Sequence, residues 1–414
     1  MKNTIVALSI AGITSTALAQ SNVTIYGVAD VSGQGYSMSQ GKAPSVAQGG
    51  AEGNVFSLQS NSSLLGFKGT EDLGNGVRAL FQAETTMYLT GGKEGGVNTN
   101  TGNLWGSSGS MRDSFVGMDS KYGSIKLGYN STPFKASTTS FDVMPGATGS
   151  GMIENIMGGM RFGSQGDGTP GTTALAYSSS IRATSIVYSM PTMYGVNGSI
   201  AYTGSNNNGS TNTSAVSGTC TDLSACTVTP QSVFSTNLGW TGYGVNIQGA
   251  FQQANYNLTG TTAAQTAAVQ NLGDFTSYLV GAAYTGVPGL KVSALYTRNT
   301  LGTTGTSLIT NGAGKVSNNQ FFTGVSYRMG NWEPRLSAVW SSDVNGSTVE
   351  QMGARQWTAN LGYYLSKRTQ VYGIVSNLNN SANQNYRMAQ QNNNLLPTGG
   401  QNLFTYGAGL RTSF

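Results

Sequence analysis

From Val23 onward the chain is written in segments of about ten residues whose apolar side chains alternate with small or polar ones. The end of the chain carries the pattern most openly. Phe404, Tyr406, Ala408, Leu410 and Phe414 fall on one parity, and Thr405, Gly407, Gly409, Arg411 and Ser413 on the other. Upstream, Trp357, Ala359, Leu361, Tyr363 and Leu365 oppose Gln356, Thr358, Asn360, Gly362 and Ser366, while Phe321, Val325, Tyr327 and Met329 oppose Gln320, Gly324, Ser326 and Arg328. A period of two sends successive side chains to opposite faces, so each segment predicts a strand with one oily and one wet face. Soluble sandwiches alternate in the same way, and parity alone does not say what the oily face touches.

The connections decide more. Sixteen such segments are joined by short turns near 70–76, 120–123, 190–195, 241–244, 286–290, 330–333 and 366–368, alternating with long polar stretches near 35–54, 90–110, 131–180, 204–231, 257–273, 301–318, 342–353 and 378–402. An even number of strands with short turns at one end and long loops at the other is the plan of an outer-membrane barrel. Sixteen spans of about 11 residues use roughly 175 residues, which leaves ample chain for eight long loops. The expected fold is therefore all-β, a single 16-stranded antiparallel transmembrane β-barrel over 20–414.

Composition fits this plan. Charged residues make up 9% of the 414, against roughly a quarter in a soluble domain, whereas Gly contributes 59 residues. With 14 Phe, 20 Tyr and 5 Trp the chain has far too much aromatic surface for a disordered segment. A lipid-facing strand tolerates no charge and a lumen-facing one needs little, so low charge and a mean hydropathy of -0.18 are expected. Tyr26, Tyr129, Tyr256, Tyr284, Tyr327 and Tyr406, at segment ends, suit interfacial girdles. The chain contains no His, which removes His-based hydrolysis, His-zinc chemistry and His acid catalysis. No metal site or cofactor is expected.

Residues 1–19 read as a signal peptide: Lys2 supplies a positive start, Thr4 to Ile13 a mostly apolar run, and Ala17-Leu18-Ala19 a cleavage site. Loss of Lys2 lowers the formal charge from +5 to +4, too small an excess for nucleic acid binding. Cys220 and Cys226 lie close together in a polar stretch, either as a small disulfide ring suited to an oxidising compartment or as two free thiols.

Four separated stretches resemble Gram-negative general diffusion porins of the β-proteobacterial type. These are Val23-Thr24-Ile25-Tyr26-Gly27, the run from Ser63 through Gly66-Phe67-Lys68-Gly69 to Gly76, Leu365-Ser366-Lys367-Arg368-Thr369, and the final Phe414. The resemblance implies an outer-membrane homotrimer whose third external loop, here 131–180, folds into the lumen as a constriction. It also implies that Phe414 resembles the signal read by the barrel-assembly machinery. In anion-preferring members three arginines narrow the pore. Arg112 matches one, Met160-Arg161-Phe162 resembles the segment that carries another, and Leu64 stands where the third is often found. Lys68 keeps a later basic position, and Arg78 and Lys126 have lumen parity. Asp142 and Glu154 are the loop carboxylates assigned to the constriction, and Lys135 with Arg161 are its main cations.

Fixed charges in a low-dielectric channel enrich the opposite ion, so two matched arginines rather than three imply a weakly anion-preferring or nearly unselective pore. An ordinary salt bridge that props the loop is the other role open to Arg112 and Arg161. The leading expectation is passive diffusion of ions and small hydrophilic solutes. A substrate-selective channel would need an aromatic slide, for which Trp105, Phe134 and Phe141 are available. A secreted β-rich adhesin accounts for neither the alternating connections nor the terminal Phe, and an outer-membrane enzyme is disfavoured by the absence of His.

Overall fold

The computed structural model describes residues 22–39, 53–90, 111–162, 175–204, 214–215, 232–256, 258–259, 272–303, 306–307, 310–311, 314–388 and 399–414. The leader, Trp105, Asp167, Cys220 and Cys226 lie outside them. The barrel strands are β1 (Asn22–Met38), β2 (Gly53–Ser60 continued by Leu64–Gly74), β3 (Val77–Thr86), β4 (Ser114–Ser120), β5 (Gly123–Ser131), β6 (Arg182–Ser189), β7 (Val196–Thr203) and β8 (Ser232–Gly242). They continue as β9 (Val245–Asn255), β10 (Leu272–Tyr284), β11 (Leu290–Thr303), β12 (Gly314–Tyr327), β13 (Trp332–Ser341), β14 (Ala354–Tyr364), β15 (Thr369–Asn380) and β16 (Leu403–Ser413). Each pairs antiparallel with its sequence neighbours, and β1 closes the ring on β16, with Val28 opposite Ser413 and Met38 opposite Leu403. The seven short turns and eight long connections fall where the sequence places them.

β2 is one strand with a bulge. Val31–Met38 of β1 pair with Gly53–Ser60, and Asn22–Val28 pair with Leu64–Thr70, so the three residues 61–63 oppose only two. Ser62 takes φ +53 there, while the Asn61 amide donates to the Asp30 carbonyl at 2.9 Å and the Asp30 amide to Ser63 Oγ at 2.9 Å. The extra residue reverses parity, as a one-residue offset must. Phe56 and Leu58 point outward on even numbers before the bulge, and the outward positions after it are odd, Leu65 opposite Gly27 and Phe67 opposite Ile25. At the β8–β9 turn Tyr243 (φ +51) and Gly244 (φ +75) supply the two left-handed residues that a two-residue hairpin of matching twist requires.

The polarity of the sheet is inverted relative to a soluble protein. On β14 the apolar parity is exposed, with Trp357 and Leu361 each at 47%, and the polar parity is covered, with Gln356 at 2% and Asn360 at 4%. Outward aromatics form transverse rows. Tyr296, Phe321 and Trp340 follow one another across β11, β12 and β13 at centroid spacings of 4.8 and 5.6 Å, and Trp332 stacks on Tyr363 at 4.7 Å near the turns. Eight residues separate Trp332 from Trp340, about 27 Å along a strand. With the usual barrel tilt this matches an apolar band about 25 Å tall between two aromatic girdles. Two tyrosines expected in the girdles are elsewhere. Tyr26 shares the parity of buried Asp30 and faces the lumen, and Tyr256 is buried against the hairpin of the third loop.

The packed interior lies inside the barrel, where two apolar clusters join inward residues of β8–β16 to the segment 132–181. The inward fold of the third loop is thus a feature of the structure.

Neighbouring Phe81 and Gln82 on β3 test the assignment of faces. An outward arginine at mid-bilayer depth costs about 2–4 kcal/mol, so Phe81→Arg is expected to lower the folded, heat-modifiable fraction after refolding into lipid, and Gln82→Arg to leave it near wild type. Equal losses would mean that the faces are assigned wrongly.

Candidate pore constriction

The third loop leaves β5 through a short helix, α1 (Pro133–Ser140). Thr132 caps it, accepting from the Lys135 amide at 3.3 Å, and Pro133 occupies a first-turn position that needs no N–H. Phe134 and Phe141 are fully buried. At the C-terminal end Lys291 of β11 donates to the carbonyls of Ser140 (2.9 Å) and Asp142 (2.7 Å), a cation satisfying the last carbonyls of a helix. Asp142 then closes a bight in the chain: one carboxylate oxygen accepts from the Met144 amide at 2.9 Å and the other from the Ile153 amide at 2.8 Å. At the far point of the bight Gly146 (φ +65) lies against the Arg411 guanidinium, so a side chain there would be both strained and obstructed. The Ser150 carbonyl accepts from Gln356 Nε2 (3.3 Å) and Ser376 Oγ (3.4 Å). The return passes through α2 (Glu154–Met157) and the hairpin Gly159–Phe162 with Leu175–Ser178.

The loop therefore runs round the inner wall from β7 to β16 and reaches β2 at Asn61. It is held there by buried polar groups of opposite sign. Lys135 Nζ donates to Glu154 Oε1 at 2.7 Å, and Ser180 Oγ donates to the same oxygen. Burial alone would push the Glu154 carboxyl up, but the Lys135 ammonium and these hydrogen bonds outweigh it and hold it below 4.5. Burial pulls the Lys135 ammonium down, partly offset by Glu154. Burial also lifts Asp142 from 3.8 to about 6 against the pull of its two backbone donors. Arg161 points to Asn385 Oδ1 (3.5 Å), and burial and the neighbouring Arg387 cation lower it to about 10.

The described residues of the loop leave the wall formed by the second part of β2 with β3, β4 and β5 uncovered. Val116, Met118, Ile125 and Leu127 take its outer face, so Lys68, Arg78, Gln82, Glu84, Asp119 and Lys126 face the lumen. Most of the charges cancel. Arg78 pairs with Asp119, Arg112 with Glu84, and Arg182 with Asp113 at 2.8 Å; Tyr26 also donates to Glu84 at 3.0 Å. Lys68 and Lys126 have no carboxylate within ion-pair distance among the described residues. Each ammonium instead lies over a ring, Lys68 over Tyr26 at 5.0 Å and Lys126 over Phe115 at 4.6 Å.

The geometry is thus a closed sixteen-stranded sheet with an oily exterior and a lumen into which the third loop folds. Residues 5–383 match the family described as Gram-negative porin. The chain belongs to that family. It is 29% identical over 213 residues to the major outer membrane protein P.IB of Neisseria gonorrhoeae, covering 51% of this chain and 50% of that one. It is 28% identical over 203 residues to outer membrane porin protein 32 of Delftia acidovorans, covering 49% of each. The chain thus spans about half the length of the curated relatives it matches. In structure it resembles an anion-selective porin from Comamonas acidovorans, with a TM-score of 0.67 at 20% identity over 95% of this chain and all of that one. A likeness to Salmonella typhi OmpF has a TM-score of 0.56 at 17% identity, over 95% of this chain and 97% of that one. Membership places the protein in the outer membrane.

The structure of this porin separates the residues singled out from sequence into three groups. Lys68, Arg78, Lys126 and Arg112 share the uncovered wall, and Leu64 stands on its lumen face, level with Thr86. Arg161 is on the loop hairpin, on the β8–β12 side, away from that wall. Asp142 and Glu154 are turned into the body of the loop, their oxygens taken up by its own donors, because a loop buried in a barrel must satisfy its own backbone and charges. Phe134 and Phe141 pack the loop and line no slide. Sequence reasoning missed Glu84, the partner of both Arg112 and Tyr26, and the cluster at the seam. There Asp30, 1% exposed, accepts from Arg411 (3.0 Å), Tyr372 (2.7 Å) and Asn61 (3.1 Å). The available signal is that Asp30 and Arg411 are the only charged residues of the first and last strands.

Protease nicking of the 131–181 loop in the folded barrel reports its docking. Glu154→Ala leaves Lys135 buried without a counter-charge, only the Ser180 hydroxyl remaining to it, a change worth about 3–5 kcal/mol, and is expected to accelerate nicking. The double variant Lys135→Met/Glu154→Leu is expected to recover most of the protection. The two carboxylates carry opposite pH signs. Glu154, held below its free value, stabilises above about pH 4.5 and loses that contribution as pH falls through its lowered value. Asp142, raised to about 6, contributes most when protonated, and its contribution fades as pH rises from about 4 through 6. Asp142→Asn is expected to flatten that limb of the nicking profile, and an unchanged profile would assign it to another group.

Proposed function

We propose that this porin is a passive channel for ions and small hydrophilic solutes, working without cofactor or catalytic cycle and with a weak preference for anions. The observation that carries the reading is the charge arrangement of the uncovered wall. Three arginines on it or at its edge pair with Asp119, Glu84 and Asp113, which leaves Lys68 and Lys126 without a carboxylate partner; with Asp72, in register with Arg78, counted against them, the wall keeps a small positive excess. In a channel walled by low dielectric, two uncompensated lysines raise the local anion concentration without excluding cations. Support also comes from the structural relative described as anion-selective. The neutral Leu64 on the same wall favours a weaker preference than a third arginine there would give.

The same reading includes assembly as a homotrimer and recognition of Phe414 by the barrel-assembly machinery. Support for a seam role of Phe414 is local. Its amide and carbonyl exchange hydrogen bonds with Gly27 (3.1 and 3.0 Å), and its ring covers Gly27 so closely that a Cβ there would lie 2.5 Å from it.

In planar bilayers the purified protein is expected to open in steps grouped by three, with a zero-current potential across a KCl gradient of anion-preferring sign. Lys68→Gln/Lys126→Gln is expected to move that potential to or past the unselective value; no movement would assign the selectivity elsewhere, Arg161 and Arg387 being the next cations to neutralise. Phe414→Ala is expected to lower the yield of heat-modifiable trimers in the outer membrane, and a normal yield would remove Phe414 from the assembly step.

A further inference from the structure

Ion passage does not account for one property of the uncovered wall. Leu80 and Phe115 are half-exposed on the lumen face, which apart from them and Leu64 carries polar or charged side chains and glycine. Strand register shows their setting. Lys68, Gln82, Phe115 and Gly128 form one row across β2, β3, β4 and β5, and Thr70, Leu80, Gly117 and Lys126 form the adjacent row. Gly117 has no side chain, so between Leu80 and Lys126 the sheet is bare over two strand spacings, about 10 Å. Phe115 borders that gap with the Lys126 ammonium 4.6 Å from its ring centre.

We propose that this bay docks small organic anions with an apolar body, of the arene-carboxylate class, as they cross. The carboxylate meets the Lys126 ammonium, and the ring rests over Gly117 against Leu80 and the edge of Phe115. Lys68 lies about 15 Å away, three strand spacings across and one row along. That is too far for one small ion to touch both lysines, so Lys68 is a second station rather than a second ligand. An inorganic anion would use the lysines and gain nothing from Leu80 and Phe115, and a neutral arene would leave Lys126 with less water and no counter-charge. Contact on one side only keeps the binding weak, which a pore needs if the solute is to leave. The proposal rests on the diffusion-channel reading and names a solute class for it.

Single-channel recording in planar bilayers tests it, with sodium benzoate or sodium acetate added to one side in KCl. Benzoate is expected to reduce the current saturably at concentrations where acetate has no effect. Removing the apolar contact by Phe115→Ser or Leu80→Asn, or the charge by Lys126→Gln, is expected to weaken the benzoate effect about fivefold. Lys367→Gln, in the exposed turn after β14, is expected to leave it unchanged. Conductance of each variant in KCl alone shows that its barrel has formed. Equal effects of benzoate and acetate, or full benzoate affinity in both Phe115→Ser and Leu80→Asn, would overturn the docking proposal while leaving the channel reading intact. Absence of stepwise conductance by the unmodified protein in KCl alone would overturn both.

Discussion

No strand in hydrocarbon can leave its amides unpaired, and this sheet meets that requirement by joining its first strand to its last. The seam between β1 and β16 is therefore the contact on which the rest depends. It is fastened on both faces. Outside, the Phe414 ring sits over Gly27 and the Tyr406 ring over Gly35; inside, Arg411 reaches the buried Asp30. Asp30 also receives Tyr372 and Asn61, so the same carboxylate ties the seam to β15 and to the bulge in β2. The bulge in turn sets which side chains of β2 enter the lumen.

Closure encloses a lumen, and the third loop fills part of it. The loop stays inside because its oily side chains, Phe134, Phe141, Ile153 and Ile156 among them, find apolar inward positions on β9–β14. Its charges are spent on itself and on its anchors, Lys135 with Glu154, Asp142 with two amides, and Lys291 with the end of α1. The chemistry left to face the solute is on the opposite wall, which the described residues of the loop meet only at its start, where Ser131 donates to Asp113. Narrowing and lining are thus separate tasks given to separate segments.

The strands and the order of their connections were legible because a sheet between lipid and water imposes a strict period of two, and Trp357, Leu361, Phe404 and Tyr406 obey it. The period fails at the bulge of β2, where one inserted residue reverses parity, and local sequence gives only Asn61-Ser62-Ser63 as a hint. Lumen parity was also readable for Lys68, Arg78 and Lys126. Partnership was not. Glu84 meets Arg112 across the 28 positions between neighbouring strands, a contact set by the register of β3 on β4, and Asp30 meets Arg411 across 381, which only closure of the ring brings together. Asp142 and Glu154 show the same limit: their residue type suits a constriction, but their path through the loop turns them away from it.

The spacing of Lys68 and Lys126 bears on the medium in which the pore works. The reach of a fixed charge in electrolyte is about 10 Å at 0.1 M and about 3 Å at 1 M. In dilute surroundings the fields of two lysines about 15 Å apart overlap and the wall acts as one positive surface. In brine they shrink to two isolated spots, and an ion crossing between them meets a nearly neutral wall. Any preference that the proposed lysine stations give the pore is therefore strongest in fresh water and fades in salt.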